Sequence, residues 1–409
     1  MTGRKPLNPF FTGTDIPDKY FCDRKNETAE IIRYIKNGSN VVLKAPRRVG
    51  KSCLIKHVFA QDEIANHYNT LYVDIYGTLS AAEFERELQS KFMASPFAKA
   101  TKTWKTLLSY AKSLQISLGA YNGAMIDLPS IGLGTSPNPV FTISEILDEY
   151  ERSDKPGLIV FDEFQQIESY PERMAAILRG KIQELNNTKF IFSGSSRHIL
   201  NTMFLNYNQP FYKSAVTMDL DIIGIEAYTD FVRSMFDDYG RHIDDVTVGF
   251  IYYLMSGNTF NMQEIMKEVF MMTDGKTDVR KEDAIAAVHS ILSRHDEEFR
   301  DQISRVSSIK DRKLLYCIAS EGIAQSLTSG VMLKKYGLDN ASSVQHSLNN
   351  LMSEKMLMIQ KLAKQTYIIQ DRLFELWLSL KIGNLDEKLS NPEARFEQER
   401  AAGAVFANG

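Results

Sequence analysis

The chain has 409 residues, more than one hydrophobic core usually supports, so we expect two or three domains. A hydrophobic content of 44% and a charged content of 24% are ordinary for a globular protein, and a formal net charge of −3 excludes a general attraction to nucleic acid or anionic membrane. The three cysteines are far apart and lack metal-ligand spacing, which favours structural thiols in a reducing compartment. No signal-peptide pattern or apolar run of membrane-spanning length occurs, so the expected location is the cytoplasm, without a membrane partner.

Strands and helices alternate in the first half of the chain. The first helix is predicted over 27–37, where isoleucines recur at helical spacing and Gly38 ends the pattern. The next predicted elements are strand 40–44, helix 52–59, strand 70–75, helix 80–92, strand 158–161, helix 171–185, strand 190–192 and a candidate fifth strand over 215–220. This alternation predicts an α/β domain with a parallel sheet over 1–222, with an inserted hairpin at about 112–130 around Tyr121-Asn122-Gly123.

The second half of the chain is predicted to be mainly helical. Residues 223–305 carry helical patterns only. Residues 306–382 follow with three helices and then two strands, an order typical of a winged helix. The last segment, 383–409, is rich in Glu, Ala, Asn and Gly and has few large apolar residues, so it is predicted to be a flexible tail.

The segment between the first strand and the second helix resembles a phosphate-binding P-loop. It consists of Ala45, Pro46, Arg47, Arg48, Val49, Gly50, Lys51 and Ser52, and it matches the pattern Gly-x-x-x-x-Gly-Lys-Ser except at Ala45. In such a loop, backbone N–H groups and the positive end of the following helix face the phosphates. Lys51 is then placed against the β- and γ-phosphates and Ser52 against Mg²⁺, which predicts ATP and Mg²⁺ as ligands. The alternative is a chance basic surface loop.

Adjacent carboxylates follow the strand at 158–161. A P-loop needs a carboxylate at the end of a neighbouring strand, so Asp162 is predicted to hold Mg²⁺ and Glu163 to polarise the attacking water. A solvated loop or a helix cap is the alternative for this pair. Ser193-Gly194-Ser195-Ser196, at the end of the next strand, offers hydroxyls that could sense the γ-phosphate, or it is a simple strand-to-helix turn.

Taken together, these motifs resemble the archaeal-type predicted ATPases, a P-loop family related to AAA+ and STAND proteins. The resemblance covers about 7–380 and rests on Asn8-Pro9-Phe10, on 21–27, on 45–52, on 74–78, on 161–165 and on 192–195. It implies a core sheet in which a sensor strand separates the Walker A and Walker B strands. It also implies a helical lid over 223–305 and a C-terminal winged helix.

The same resemblance assigns roles to individual residues. It places Arg24 and Glu27 around the adenine side of the nucleotide, and it makes Ser195 the sensor hydroxyl. Cys53, the residue after the P-loop pattern, belongs to the candidate nucleotide-binding segment, although core packing is the other role for its side chain. Lys213 stands where relatives often carry an Arg, and Thr259 stands where the lid motif has Pro, so an arginine finger acting in trans and a lid contact with nucleotide are both in doubt.

The predicted winged helix raises the question of DNA binding. Its candidate recognition helix, 342–351, has no Lys or Arg, and residues 311–380 contain eight basic and six acidic side chains, a net charge of only +2. We therefore favour contact with a protein partner, or autoinhibition, over DNA binding. Three hypotheses follow: a slow, Mg²⁺-dependent ATPase acting as a nucleotide-driven switch, a DNA-associated ATPase, and a nucleotide-binding scaffold that does not hydrolyse. A nucleotide-dependent oligomer is compatible with each.

Overall fold

The computed structural model describes residues 5–101, 139–353 and 356–403. They form two compact units, a sheet unit over Arg24–Leu220 and a helical unit made of the residues up to Asp23 and those from Asp221 onwards. The inserted hairpin predicted at about 112–130 lies outside the described residues. In the described part of the chain, no helix is both long and apolar enough to cross a bilayer.

The sheet unit alternates strands and helices as the sequence predicts. Its elements are α1 (Lys25–Lys36), β1 (Val41–Lys44), α2 (Lys51–Ala60), α3 (Asp62–Ala65), β2 (Asn69–Asp74), α4 (Ala81–Ala94), α5 (Pro139–Glu151), β3 (Gly157–Asp162), α6 (Met174–Gln183), β4 (Thr188–Gly194), α7 (Arg197–Leu205) and β5 (Val216–Asp219). β3 is buried along its whole length and β1 likewise, as expected for inner strands of a parallel sheet with helices on both faces.

The five strands are parallel and lie in the order β2-β3-β4-β1-β5. β4 therefore separates β1 from β3, which confirms the strand arrangement that the family resemblance implies. The register pairs Asp74 with Asp162 and Lys44 with Gly194. Because the strands are parallel, their carboxyl ends meet at one edge of the sheet, where α/β proteins usually bind ligands.

The helical unit contains eleven α-helices and five short strands among the described residues. They are α8 (Ile225–Asp237), β6 (His242–Ile243), α9 (Asp245–Leu254), α10 (Thr259–Met272), β7 (Asp278–Val279), α11 (Lys281–Arg294), α12 (Asp296–Arg305), α13 (Ile309–Glu321), β8 (Ala324–Gln325), α14 (Gly330–Tyr336), α15 (Ala341–Met352), β9 (Ile359–Ala363), β10 (Thr366–Ile369), α16 (Arg372–Ile382), α17 (Leu385–Ser390) and α18 (Pro392–Ala401). Strands β8, β10 and β9 form a three-stranded sheet beside α13–α15, which is the predicted winged helix with one additional short strand.

The predicted lid and winged helix share one hydrophobic core. Phe299 of α12 packs against Phe374 and Trp377 of α16, with ring centroids 5.5 and 5.8 Å away. The Trp377 indole N–H also donates a hydrogen bond of 2.8 Å to Asp296. These segments therefore form a single packed body in the structure.

The N-terminal residues belong to this helical unit, although the sequence analysis assigned them to the sheet domain. Phe10 is buried, and its ring lies 5.7 Å from that of Phe236 and 5.9 Å from that of Phe270. These partners are more than two hundred residues further along the chain, so local sequence patterns could not reveal the packing.

The C-terminal segment also differs from the expectation of a flexible tail, because residues 385–401 form α17 and α18. Leu385, Leu389 and Phe396 recur at helical spacing and are buried. The Phe396 ring lies 5.7 Å from that of Tyr252 and 5.3 Å from that of Tyr253, both on α9. These three apolar side chains thus join the core of the helical unit.

A buried charge cluster holds the same segment in place. Glu375 of α16 is fully buried and accepts hydrogen bonds from Arg372 at 2.7 Å, Lys388 at 2.5 Å and Arg395 at 2.6 Å. Burial raises the pKa of Glu375, but the three cations lower it by more than burial raises it. The pKa therefore lies well below its usual range, and the carboxylate is ionised. The cluster therefore ties α17 and α18 to the winged helix.

Candidate functional site

The loop between β1 and α2 contains two residues with positive backbone φ angles. Arg48 has a φ of +67° and Gly50 a φ of +91°. A Cβ atom at Gly50 would meet no protein atom within 4 Å, so the positive φ, rather than space inside the protein, requires glycine there. Ala45 does not have a positive φ, and its buried N–H donates to the carbonyl oxygen of Gly194 at 3.3 Å. The structure therefore accommodates alanine at the first position of the motif.

Helix α2 begins at Lys51, directly behind this loop. Because Gly50 has no side chain, no side-chain oxygen from the N-cap residue covers the N–H groups of the first turn. The positive end of the helix dipole adds to these donors, so the arrangement is suited to a phosphate group.

Lys51 links the loop to the end of β3. Its Nζ atom lies 3.0 Å from Oδ1 of Asp162 and 3.1 Å from Oε1 of Glu163, and its side chain is only 8% exposed. Burial lowers the pKa of Lys51, but the two carboxylates outweigh that effect and raise it above its ordinary value. Lys51 is therefore a charged ammonium group between two carboxylates.

Asp162 is held on both of its oxygens. Oδ1 accepts from the Ser193 hydroxyl at 2.5 Å and from the backbone N–H of Glu163 at 2.9 Å, in addition to Lys51. Oδ2 accepts from the Ser52 hydroxyl at 2.8 Å and from the Tyr72 hydroxyl. Burial raises the pKa of Asp162, yet Lys51 and the three hydroxyls lower it to about 2. The carboxylate is thus ionised and fixed in orientation.

Glu163 differs from Asp162 in its backbone conformation and in the exposure of its side chain. It has a φ of +55°, and its side chain is 15% exposed. Oε2 accepts from the Ser195 hydroxyl at 2.8 Å and from the Gln165 amide, whereas Oε1 contacts Lys51. Burial raises the pKa of Glu163, but Lys51, Ser195 and Gln165 lower it more. One oxygen of Glu163 is therefore held by neutral donors and the other by the Lys51 ammonium group.

The donor set fits a Mg²⁺ ion. Magnesium prefers oxygen ligands and is commonly bound by one or two carboxylates together with substrate phosphates. Ser52 Oγ and Asp162 Oδ2 lie 2.8 Å apart beside the candidate phosphate loop, and both are oxygen atoms. Two ionised carboxylates close together also favour a cation. Ser52 and Asp162 are thus the residues that would hold Mg²⁺ here.

Arg24 and Glu27 lie beside the same loop. Arg24 has a φ of +69° and is buried, and its guanidinium donates to Glu27 Oε1 at 2.6 Å and to the carbonyl oxygen of Val49 at 3.4 Å. The start of α1 is therefore joined to the phosphate loop, as expected if these residues flank a nucleotide.

The remaining residues of the loop differ in exposure. Arg47 and Arg48 are exposed, and the Arg47 guanidinium lies 5.6 Å from the Tyr76 ring centroid. Pro46 and Cys53 are half-buried, and Val49 is buried. The two arginines are therefore the accessible positive charges of the loop.

Lys213 and Thr259, the two positions that depart from the family pattern, have the following surroundings. Lys213 is exposed, with a φ of +52°, and its ammonium lies over the ring of Tyr212. Thr259 begins α10 in the helical unit, where the Asn258 side chain caps the helix by accepting from the Asn261 N–H. No catalytic assignment follows from the contacts of these residues.

Sequence reasoning missed Tyr72, Gln165 and the specific role of Ser193. A signal for Tyr72 existed, because Tyr72 and Asp74 alternate along β2 and therefore share a face next to the carboxylate strand. Ser193 was named only within a run of hydroxyl residues, and the structure separates its contact with Asp162 from that of Ser195 with Glu163. Gln165 was named only as the last residue of the motif 161–165, without a role of its own.

Comparisons with known proteins agree with this architecture. Residues 297–380 match a sequence family described as "Probable winged helix domain". A Walker-type ATPase of Pyrococcus abyssi has a similar structure, with a TM-score of 0.58 and 20% identity, over 89% of this chain and 99% of that one. The fold is that of a P-loop ATPase with a C-terminal winged helix.

Two further solved structures have a similar fold. The ORC2 protein of Aeropyrum pernix, solved with ADPNP and ADP, has a TM-score of 0.54 and 13% identity, over 90% of this chain and 95% of that one. The ORC1 protein of Aeropyrum pernix, solved in complex with DNA, has a TM-score of 0.51 and 13% identity, over 92% of this chain and 97% of that one. No curated protein matches the chain in sequence. At these identities the likeness concerns the fold, and it confirms the fold that the sequence resemblance implied.

Proposed function

We propose that the sheet unit binds ATP, with the phosphates in loop 45–52, and hydrolyses it slowly in a Mg²⁺-dependent reaction. One observation carries the proposal. Lys51, Ser52, Asp162 and Glu163 come from two separate strand ends, yet their functional atoms lie within about hydrogen-bonding distance of one another. That set supplies a phosphate ligand, a metal site and a base.

The contacts of Glu163 suggest how its base function is released. When the Lys51 ammonium turns to the β- and γ-phosphates, Oε1 of Glu163 loses its cation, while Ser195 and Gln165 still hold Oε2. Oε1 can then accept a proton from a water molecule as the water oxygen bonds to the γ-phosphorus and the bond to the β-phosphate oxygen breaks. The products are ADP and inorganic phosphate. Bound Mg²⁺ would neutralise charge on the β- and γ-phosphates.

The other loop residues have binding roles in this proposal. Backbone N–H groups of 45–52 face the phosphates, and the start of α1, with Arg24 and Glu27, flanks the adenosine side. Ser195 acts through Glu163, which makes it a positioning residue as well as the candidate sensor of the γ-phosphate. Cys53 lies in the first turn of α2, directly after the residues that are proposed to bind the phosphates.

We further propose that nucleotide state switches the helical unit as one body. The lid and winged helix share a core, and a buried charge cluster joins them to α17 and α18, so motion within that unit is disfavoured. The chain passes between the units at Asp23–Arg24 and at Leu220–Asp221. Asp23 and Arg24 both have a positive φ, and Arg24 also contacts the phosphate loop. This crossing is the proposed link between nucleotide and helical unit.

The winged helix is proposed to contact a protein partner. Two of its lysines are paired with acidic residues, Lys310 with Asp339 at 2.7 Å and Lys335 with Glu321 at 2.6 Å. DNA is the second candidate, favoured by exposed Lys361 and Lys364 near the wing. We also propose that the protein is cytoplasmic and has a STAND-like role. Oligomerisation that depends on nucleotide is a further part of this proposal.

The direct test is to follow the fate of bound ATP. Purified protein is incubated with ATP and Mg²⁺, and nucleotide is analysed by chromatography over several hours. Conversion to ADP and phosphate above the rate of a Lys51→Met control is the expected result. Tight binding of ATP that stays intact would instead establish the scaffold hypothesis.

A further inference from the structure

Tyr72 lies on β2, next to the strand that ends in Asp162. The parallel register pairs Asp74 with Asp162 and Tyr72 with Val160. Side chains two residues apart share one face of a sheet, so Tyr72, Asp74 and Asp162 project to the same side. From there the Tyr72 hydroxyl donates a hydrogen bond to Oδ2 of Asp162.

The donors on Asp162 fall into two groups under the proposed function. Lys51 and Ser52 must turn to the phosphates and Mg²⁺ when the site is loaded. Ser193 and the backbone N–H of Glu163 remain, but both donate to Oδ1. Among the hydrogen bonds seen in the described residues, Tyr72 is then the donor left on Oδ2.

We propose that Tyr72 is a positioning residue for Mg²⁺, because its hydroxyl fixes the Oδ2 atom of Asp162 beside the metal site. This inference rests on the proposed function of the loop. Hydrogen bonds to a ligating carboxylate set its orientation, and removing such an outer partner typically weakens metal binding about 10- to 100-fold. Removing the Tyr72 hydroxyl should have no comparable effect on nucleotide binding in the absence of metal, since the hydroxyl contacts the side chains of Asp162 and Ser52 and not the backbone N–H groups of the phosphate loop.

The test compares wild type with Tyr72→Phe, which removes the hydroxyl and keeps the ring. Binding of a fluorescent, non-hydrolysable ATP analogue is titrated with Mg²⁺ and, separately, measured in EDTA. We expect the half-saturating Mg²⁺ concentration to rise about tenfold in the variant. Affinity in EDTA should stay within about twofold of wild type, a change smaller than one hydrogen bond is worth.

Tyr170→Phe is the matched control, because it removes a tyrosine hydroxyl of the same unit that contacts Thr78 rather than the carboxylates. It should leave the Mg²⁺ midpoint unchanged. As a second readout, Mn²⁺ bound in the presence of the analogue is counted by electron paramagnetic resonance, and Tyr72→Phe should weaken it in parallel.

Two results would overturn the role of Tyr72. One is an unchanged Mg²⁺ midpoint in Tyr72→Phe, and the other is an equal loss of analogue affinity with and without metal, which indicates a general structural effect. Failure of the proposed function itself looks different, because wild-type protein would then bind the analogue weakly or without any dependence on Mg²⁺.

Discussion

The Lys51 ammonium lies 3.0 Å from the Oδ1 atom of Asp162, although β4 separates strand β3, which ends in Asp162, from strand β1, which precedes the loop of Lys51. The same ammonium contacts Glu163 at 3.1 Å, and all three side chains are largely buried. Because one cation neutralises two carboxylates, Lys51 should matter both to nucleotide binding and to stability of the sheet unit.

Replacing Lys51 with methionine should have two effects. It leaves Asp162 and Glu163 without their cation, which should lower the free energy of unfolding by about 3 kcal/mol. It should also abolish measurable ATP binding, because the phosphates lose their ammonium ligand. Thermal unfolding and calorimetric titration measure these effects. Lys99→Met, at an exposed lysine of the same unit, is the control and should change neither the stability nor the ATP binding. A Lys51→Met variant that is as stable as wild type and binds ATP normally would contradict the role of Lys51.

The pH dependence of hydrolysis follows from the lowered pKa of Glu163. Since that pKa lies below its ordinary value of 4.5, the base is ionised above it and is lost only as the pH falls through the lowered pKa. We expect kcat/KM to show no loss due to Glu163 between about pH 5.5 and 8. Ser195→Ala removes a hydrogen bond that lowers this pKa, so its acid limb should move to higher pH. An identical profile in the variant would argue against the contact.

The charge cluster at Glu375 should stabilise the helical unit. Glu375→Ala leaves Arg372 and Lys388 without their buried carboxylate partner, although Arg395 keeps Glu399, and we expect a loss of about 3 to 5 kcal/mol in the free energy of unfolding. Denaturant unfolding followed by tryptophan fluorescence measures it, since Trp377 lies on the same helix. Glu387→Ala, at an exposed position of α17, should have little effect. Equal stability of both variants would show that the cluster does not hold α17 and α18.

Binding to duplex DNA should be weak. In fluorescence anisotropy at physiological salt, we expect a Kd no tighter than the roughly 10⁻⁴ to 10⁻⁶ M of non-specific binding. A tighter, salt-sensitive complex would favour the DNA hypothesis. In that case, the double substitution of Lys361 and Lys364 by alanine should reduce the slope of log K against log salt by about 2, whereas a change at exposed Glu387 should not.

Much of the sheet unit was predictable because its signals are local. Short apolar runs mark the buried strands, and Gly50-Lys51-Ser52 follows the first of them directly. The pairing of Lys51 with Asp162 and Glu163 was predictable only at the level of the motif, since it depends on the strand order. The alternation of Tyr72 with Asp74 along β2 indicated a shared face, but the hydrogen bonds of Tyr72 and Gln165 depend on side-chain positions that the sequence does not specify.

The helical unit was less predictable, because long-range packing determines it. Phe10 is buried against residues of α8 and α10, and the sequence pattern near Phe10 does not indicate these distant partners. The composition of the C-terminal segment indicated flexibility, yet Phe396 and the ion pairs of Arg395 fix it. The average composition of a segment does not reveal a helix in which a few apolar residues share one face.

The measurement that bears most directly on the proposed function is the steady-state rate of ATP hydrolysis by wild type and by Glu163→Gln. The amide keeps the shape of the side chain but cannot accept a proton, so we expect the rate to fall about 10²- to 10⁴-fold. Binding of ATP with Mg²⁺ should be retained, because Lys51, Ser52 and Asp162 are unchanged. Equal rates for the two proteins would contradict Glu163 as the base.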